Sequence, residues 1–262
     1  MCYDISLHAP IEMIIEQVPG IVVDPQLQLE LDAHTHVLAQ SFRKFPVVIL
    51  EDNLSKLKMF EWGVIADYMN TPEKIKESRT SMCNARSEKL QDKKSVWYRL
   101  RNKRCIIPVN GFFEHREITG WKNKVPYFIH LKDKPLFFLA GLYNYSPIPD
   151  VETGELKGTF TVITKPANSL MKMIHNGGAN KHRMPMVLSG EDQQKWMDPF
   201  LTEEEMMKIT EKVFPAEQMD AWPVFSIRTT KPRPDGRVIS DQFAYDNLPP
   251  LGMDEGPQLT LL

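Results

Sequence analysis

Apolar residues along this chain gather into two kinds of run. The first kind is short, dense and rich in β-branched and aromatic residues: FPVVIL (45–50), Lys56–Ile65 ending at Trp62-Gly63, CIIPVNGFFEH (105–115), VPYFIHL (125–131), LFFLAGLY (136–143) and GTFTVIT (158–164). Each predicts a strand, with MVL (186–188) a further short one. The segment SPIPDVETGELKG carries the Pro, Asp and Gly of a hairpin loop between the last two of the long runs. The second kind spaces its apolar residues as a helix does. It covers Thr71–Thr80, SVWYRLRNKR (95–104), ANSLMKMI (167–174), GEDQQKWM (190–197) and TEEEMMKITEKVF (202–214). Thr71 before Pro72 and Glu73 supplies helix-start chemistry. Residues 10–40 read as irregular to helical, and past Pro232 the Pro, Gly and Asp content predicts a loose terminus. Strands and helices mix without a βαβ rhythm, which favours α+β over a doubly wound sheet.

Composition narrows the class without naming a function. The chain has 262 residues, 42% apolar and 25% charged, the balance of an ordinary globular protein. No apolar run approaches the roughly 20 residues a membrane helix needs, and MCYDISLHAP lacks the basic and apolar regions of a secretory signal. A cytoplasmic protein without membrane contact is expected, nucleoid-associated if bacterial. Three cysteines cannot all pair, and their spacing fits no zinc motif, so free thiols are expected. His34 and His36 sit two apart, but no third ligand type clusters near them. The net charge of −2 carries no basic signature, so any nucleic-acid surface must be a local patch.

Four features could carry chemistry. Cys2 becomes the first residue if Met1 is removed. It then bears an amine and a thiol on neighbouring carbons, and the amine's ordinary pKa near 7.7–8 leaves a useful fraction unprotonated. Such a unit can form a Schiff base with an aldehyde and close a thiazolidine ring. In NGFFEH (110–115), Glu114 follows two aromatics that would desolvate its carboxyl and raise its pKa toward general acid–base use. In NARSE (84–88), Asn84 offers an amide and Arg86 a fork for phosphate, and a helical turn would bring Glu88 to Asn84. In IHNGGANKHRMP (174–185), His175 or His182 could shuttle protons and Arg183 could hold a phosphate. Each feature taken singly admits a plainer account: a frayed end, a surface glutamate, a helix start, a charged loop. Trp62 and Trp121 could stack on bases or serve as partly buried anchors.

The order of these features is more specific than any one of them. Met1-Cys2, Trp62-Gly63-Val64, Asn84-Ala85-Arg86-Ser87-Glu88, the run from Arg104 to Glu114, Ala140-Gly141-Leu142, Thr164 to Asn168, and Ile174-His175 with Arg183-Met184-Pro185 occur in one chain. This succession resembles the SRAP family (SOS response-associated peptidase domain), proteins that crosslink to abasic sites in single-stranded DNA. It spans about residues 1–190, and FSIR near 225 is similar to the family's last strand. The resemblance implies a single α+β domain over 1–231, with a mixed, mostly antiparallel, open barrel-like sheet and peripheral helices. Residues 232–262 would pack loosely on it. It implies a monomer that uses no cofactor and no metal. Cys2 would be the nucleophile, Asn84 would hold Cys2 and the opened sugar, Glu114 would act as acid and base, and His175 would shuttle protons. Arg86 and Arg183 would contact phosphates, and Trp62 and Thr164 would complete the DNA-facing set.

The chain departs from the family pattern in places. Asp4 stands where a basic residue is common, NGGANKH separates His175 from Arg183 where the usual gap is short, and His115 replaces the usual Trp. The family's name adds a thiol peptidase as a second reading, and a single-strand-binding module in which Cys2 is incidental is a third.

Overall fold

The computed structural model describes residues 2–23, 27 and 36–254. The strands are β1 (Asp4–Ser6), β2 (Val22–Val23), β3 (Val37–Leu38), β4 (Lys44–Glu51), β5 (Leu54–Trp62), β6 (Asn84–Arg86) and β7 (Arg104–Val109). They continue as β8 (Gly111–Arg116), β9 (Val125–Leu131), β10 (Phe137–Tyr145), β11 (Gly158–Pro166), β12 (Arg183–Pro185), β13 (Val187–Leu188) and β14 (Met219–Pro223). The long apolar runs of the sequence form β4, β5, β9, β10 and β11, and CIIPVNGFFEH spans β7 and β8, because β-branched and aromatic side chains pack best on a pleated surface.

The larger sheet runs β12-β11-β10-β7-β4-β5-β2, with β13 beside β10 and β6 beside β11. Its pairs are mostly antiparallel, and β6 and β2 join in parallel. A parallel contact of β5 with β11, Glu61 to Thr159 and Trp62 to Phe160, joins β11-β10-β7-β4-β5 into a ring. The expected barrel-like sheet is therefore present, drawn shut at this seam. Every residue of β7 is buried, as a strand at the centre of such a ring must be. Gly141 sits where a Cβ would lie 2.7 Å from Ile107 Cδ1 and from the Thr161 carbonyl, so only glycine lets the strands close this tightly.

The smaller sheet runs β14-β9-β8-β1-β3. The chain crosses between sheets at Asn110, whose amide donates to the Ser6 carbonyl at 3.0 Å. Gly111 then lies under the Phe128 ring, which an added Cβ would meet at 2.1 Å. The run CIIPVNGFFEH is thus a strand that enters a turn at its Asn-Gly step and continues as a second strand. Register is set by Asp4 opposite Phe113 and Ile5 opposite Phe112, so the chain before Asp4 runs alongside Glu114 and His115. A satellite core of Phe113, Phe128, Val224 and Ile227 covers one face of this sheet.

Helices α1 (Ile11–Gln17), α2 (Pro72–Ser78), α3 (Val96–Leu100), α4 (Ser169–Ile174), α5 (Gly190–Met197) and α6 (Glu203–Glu211) lie at the periphery. Their starts follow local chemistry. Thr71, Ser95, Asn168, Ser189 and Thr202 accept backbone N–H bonds as N-caps, and Thr202 with Glu205 forms a full capping box. The run LQLELDAHTHVLAQ lies largely outside the described residues, as does His34; its end forms β3 and a short turn of 3₁₀ helix, Ala39–Ser41.

Residues 232–254 return to the domain at Arg116. Arg116 is fully buried and donates to Asp254 Oδ1 (2.6 Å), to the Pro249 carbonyl (2.8 Å) and to the Pro250 carbonyl (2.6 Å). A buried guanidinium needs such partners, so it ties the segment down. Residues 255–262 lie outside the described residues.

Candidate active site

Cys2 precedes β1 and is fully buried, its thiol directed at the Asp4 carbonyl 3.8 Å away. Burial pushes this thiol far up, and the negative charges of Glu114 and Asp4 push it further. The thiol is therefore protonated at neutral pH.

Glu114 projects from β8 and is 6% exposed. Its Oε1 accepts from the His115 amide at 3.1 Å, and its buried Oε2 has no hydrogen-bond partner among the described residues. Burial raises its pKa to about 7, with the nearby Asp4 charge adding to the rise. Such a group exchanges protons readily at neutral pH.

His175 caps the C-terminus of α4 and is also buried. Its Nδ1 lies 3.8 Å from Glu114 Oε2. Burial depresses its pKa to about 4, so at neutral pH the pair is a carboxyl group facing a neutral imidazole rather than an ion pair. Nδ1 lies 2.8 Å from the Arg183 carbonyl and 3.3 Å from the Arg183 amide, contacts that require opposite tautomers.

The long insertion NGGANKH does not displace this histidine. The His182 amide donates back to the His175 carbonyl at 2.7 Å, so the loop bulges out and returns. Asn176 clamps it to the end of β8, accepting from the Glu117 amide and donating to its carbonyl, both at 2.8 Å. His175 faces Glu114, and His182 is exposed with a left-handed φ of 60°.

Asn84 lies on β6, held by parallel pairing with Val162 of β11. It is 6% exposed, yet neither its Oδ1 nor its Nδ2 has a partner among the described residues. Together with Glu114 Oε2 these are polar atoms that nearly every folded protein would satisfy.

Three of the residues expected to face DNA do not. Trp62 is fully buried, stacked on Phe160 at 5.7 Å and donating Nε1–H to the Cys83 carbonyl at 2.8 Å. It belongs to the barrel seam, and Trp62→Ala is expected to cost about 3–5 kcal/mol in urea denaturation, the usual toll of a cavity this large. Thr164 is fully buried, its hydroxyl donating to the Ala85 carbonyl at 3.4 Å. Arg183 is buried and commits its guanidinium to both oxygens of Glu88 and to the Thr164 carbonyl. Glu88 reaches Arg183, and not Asn84, because NARSE forms a strand followed by a 3₁₀ turn, Ser87–Leu90, rather than the helix start that was one reading. Arg86 is exposed and donates to Asn180 Oδ1 at 2.7 Å.

Other residues crowd this site without having been singled out for it. Asp4 is buried and binds His36 Nε2 at 2.9 Å and Arg228 Nη2 at 2.5 Å. His115, whose pKa burial lowers to about 4, also feels the charges of Asp4 and Arg228. The pairing of Asp4 with Arg228 spans 224 positions, and nothing in the local sequence marks it. His36 is thus engaged with a carboxylate, and no cluster of three metal-ligating side chains occurs among the described residues.

Comparison with known proteins places this arrangement. The abasic site processing protein YoqW of Bacillus subtilis (strain 168) is 32% identical over 227 residues, covering 87% of this chain and 93% of its own length. The abasic site processing protein YMR114C of Saccharomyces cerevisiae is 36% identical over 145 residues, covering 54% of this chain and 35% of its own. A protein from Bacteroides thetaiotaomicron of known crystal structure is 33% identical with a TM-score of 0.76, covering 92% of this chain and 97% of that one. A family model described as SOS response associated peptidase (SRAP) matches residues 1–227, so the chain belongs to the SRAP family.

Proposed function

We propose that this protein processes abasic sites in single-stranded DNA by forming a covalent thiazolidine crosslink through Cys2 once Met1 has been removed. The observation that carries the reading is the meeting of Glu114, a carboxyl with a pKa of about 7 and an unpartnered Oε2, with a buried His175 and a cysteine at position 2. The relatives named abasic site processing proteins support the substrate.

The chemistry runs from these groups without cofactor or metal. An abasic deoxyribose is mainly a cyclic hemiacetal. Glu114 as acid protonates the ring oxygen while the O1 hydroxyl proton is lost, and C1′ becomes an aldehyde. The Cys2 amine attacks C1′, a proton transfers to the oxygen, and water leaves to give the Schiff base. The thiol then adds across the C=N bond and closes the thiazolidine. The net change is one water lost. Neutral His175 relays protons beside Glu114, and the open amide of Asn84 holds the opened sugar's hydroxyl. Arg86 contacts a phosphate. A sugar stacked within a duplex cannot reach groups as buried as Cys2 and Glu114, which gives single-strand selectivity.

A thiol peptidase is the second reading, and the raised thiol pKa runs against it. A cysteine peptidase needs a thiolate, whereas the amine-first sequence above does not. The test is incubation of the full chain with single-stranded DNA carrying one abasic site, and with the same strand lacking it. A shifted band that survives denaturation with the lesion alone is expected. Salt-sensitive binding of both strands that vanishes on denaturation would instead establish a non-covalent binding module.

A further inference from the structure

Asp4 poses an electrostatic problem for a DNA-binding site. It lies two residues from the nucleophile, and an uncompensated carboxylate there would repel the phosphates flanking the lesion. The fold resolves this by burying the carboxylate and covering it with a guanidinium. Arg228 donates Nε–H to Asp4 Oδ1 at 3.4 Å and Nη2–H to Oδ2 at 2.5 Å. His36 Nε2 holds Oδ1 from another direction at 2.9 Å. Burial would raise the Asp4 pKa, but the bonds from His36 and Arg228 outweigh it and hold the group ionised.

The two members of this pair differ in exposure. The Asp4 side chain is 2% exposed and that of Arg228 46%. A guanidinium is a planar fork whose edges each donate in parallel. Here the Nε/Nη2 edge is taken by Asp4, while Nη1 has no partner among the described residues. One edge is therefore fixed to the protein, on a side chain that is nearly half exposed. The guanidinium as a whole stands near the chemistry, because its charge acts on Glu114, Tyr3 and His115 alike. The residues that follow it, Thr229, Thr230 and Lys231, are exposed and add a further cation. Arg228 also lies just beyond the span matched by the family, residues 1–227.

We propose that Arg228, aimed by the buried carboxylate of Asp4, is a further phosphate-binding residue of the Cys2 site and grips the DNA backbone beside the lesion. The inference rests on the DNA reading above. Asp4 is then a positioning residue: it removes its own charge from the DNA's path and converts a flexible arginine into a preorganised fork. Of the two arginines expected to contact phosphates, Arg86 and Arg183, the latter is bound instead to Glu88 and the Thr164 carbonyl.

The experiment measures equilibrium binding of the full chain to a single-stranded oligonucleotide carrying one tetrahydrofuran abasic analogue, which has no aldehyde and cannot crosslink. Affinity is followed against salt. Each phosphate contact on a single strand contributes about 0.7 to the slope of log K against log salt. Arg228→Ala should weaken binding several-fold and lower that slope by about 0.7. Arg228→Lys, which keeps the charge, should retain most of the slope. The loss caused by Arg228→Ala should at least halve in an Asp4→Asn background, where the fork is no longer aimed. Binding by wild type with an unchanged slope in Arg228→Ala would overturn the assignment of Arg228. An equal loss in both backgrounds would overturn the role of Asp4. A wild-type chain that binds no DNA would overturn the DNA reading itself.

Discussion

Glu114→Gln should yield a protein that is more stable than wild type at neutral and alkaline pH and far slower in its chemistry. The carboxyl's folded pKa of about 7 exceeds its ordinary 4.5, so the fold prefers its protonated form. By linkage, the stability this preference brings is full below about pH 4.5, falls as pH rises, and is gone once pH passes about 7. The loss amounts to about 3 kcal/mol over that window. Glutamine carries the same shape with no proton to lose, so the variant should not show this decline. His175 and His115 act with the opposite sign: their pKa values fall to about 4, so their contribution is present above about 6.5 and lost as pH falls. Both remain in the variant, and the difference between the two proteins isolates Glu114. Urea denaturation from pH 4 to 9 reads this difference directly; parallel stability curves would show that Glu114 is not the titrating group.

The same substitution should slow crosslinking by about 10²–10⁴-fold, the usual worth of a positioned acid–base group. The wild-type rate should change with pH near 7, and the variant should lose that inflection. Because the substitution leaves the surface charge that meets DNA nearly unaltered, binding to an aldehyde-free abasic analogue should hold. An unchanged rate with retained binding would remove Glu114 from the mechanism.

Cys2→Ala is the second large effect. With Met1 removed the variant keeps an α-amine, so it can still form a Schiff base with the opened sugar. It has no thiol to close the ring, and a Schiff base hydrolyses. The expected result is loss of any adduct that survives denaturation, with an adduct recovered when borohydride is present to reduce the C=N bond. A stable adduct at the wild-type level without reductant would rule out the thiazolidine.

The parts of this account that were legible in the sequence are those with local causes. VPYFIHL and GEDQQKWM form strand and helix over the residues expected, since alternation and caps act within a few positions. Short strands such as β1, β6 and β14 carry too few residues to show a period, and their pairing partners lie far along the chain. Trp62 and Thr164 were misplaced for a related reason: membership of a motif does not say which side of a closing barrel a side chain faces. Trp62 is buried at the β5–β11 seam, and Thr164 is buried further along β11, paired with Arg86 of β6 and Pro185 of β12. The Asp4–Arg228 pair was illegible, since only the folded chain brings its ends together.

The central claim is that the amine and thiol of Cys2 act together on an abasic aldehyde. Intact mass of the purified protein, before and after incubation with a single-stranded oligonucleotide bearing one abasic site, tests it most directly. The account predicts a free protein lighter than the encoded chain by one methionine, and an adduct equal to protein plus oligonucleotide minus one water. An adduct formed on protein that retains Met1, or no adduct on protein that has lost it, would contradict the claim.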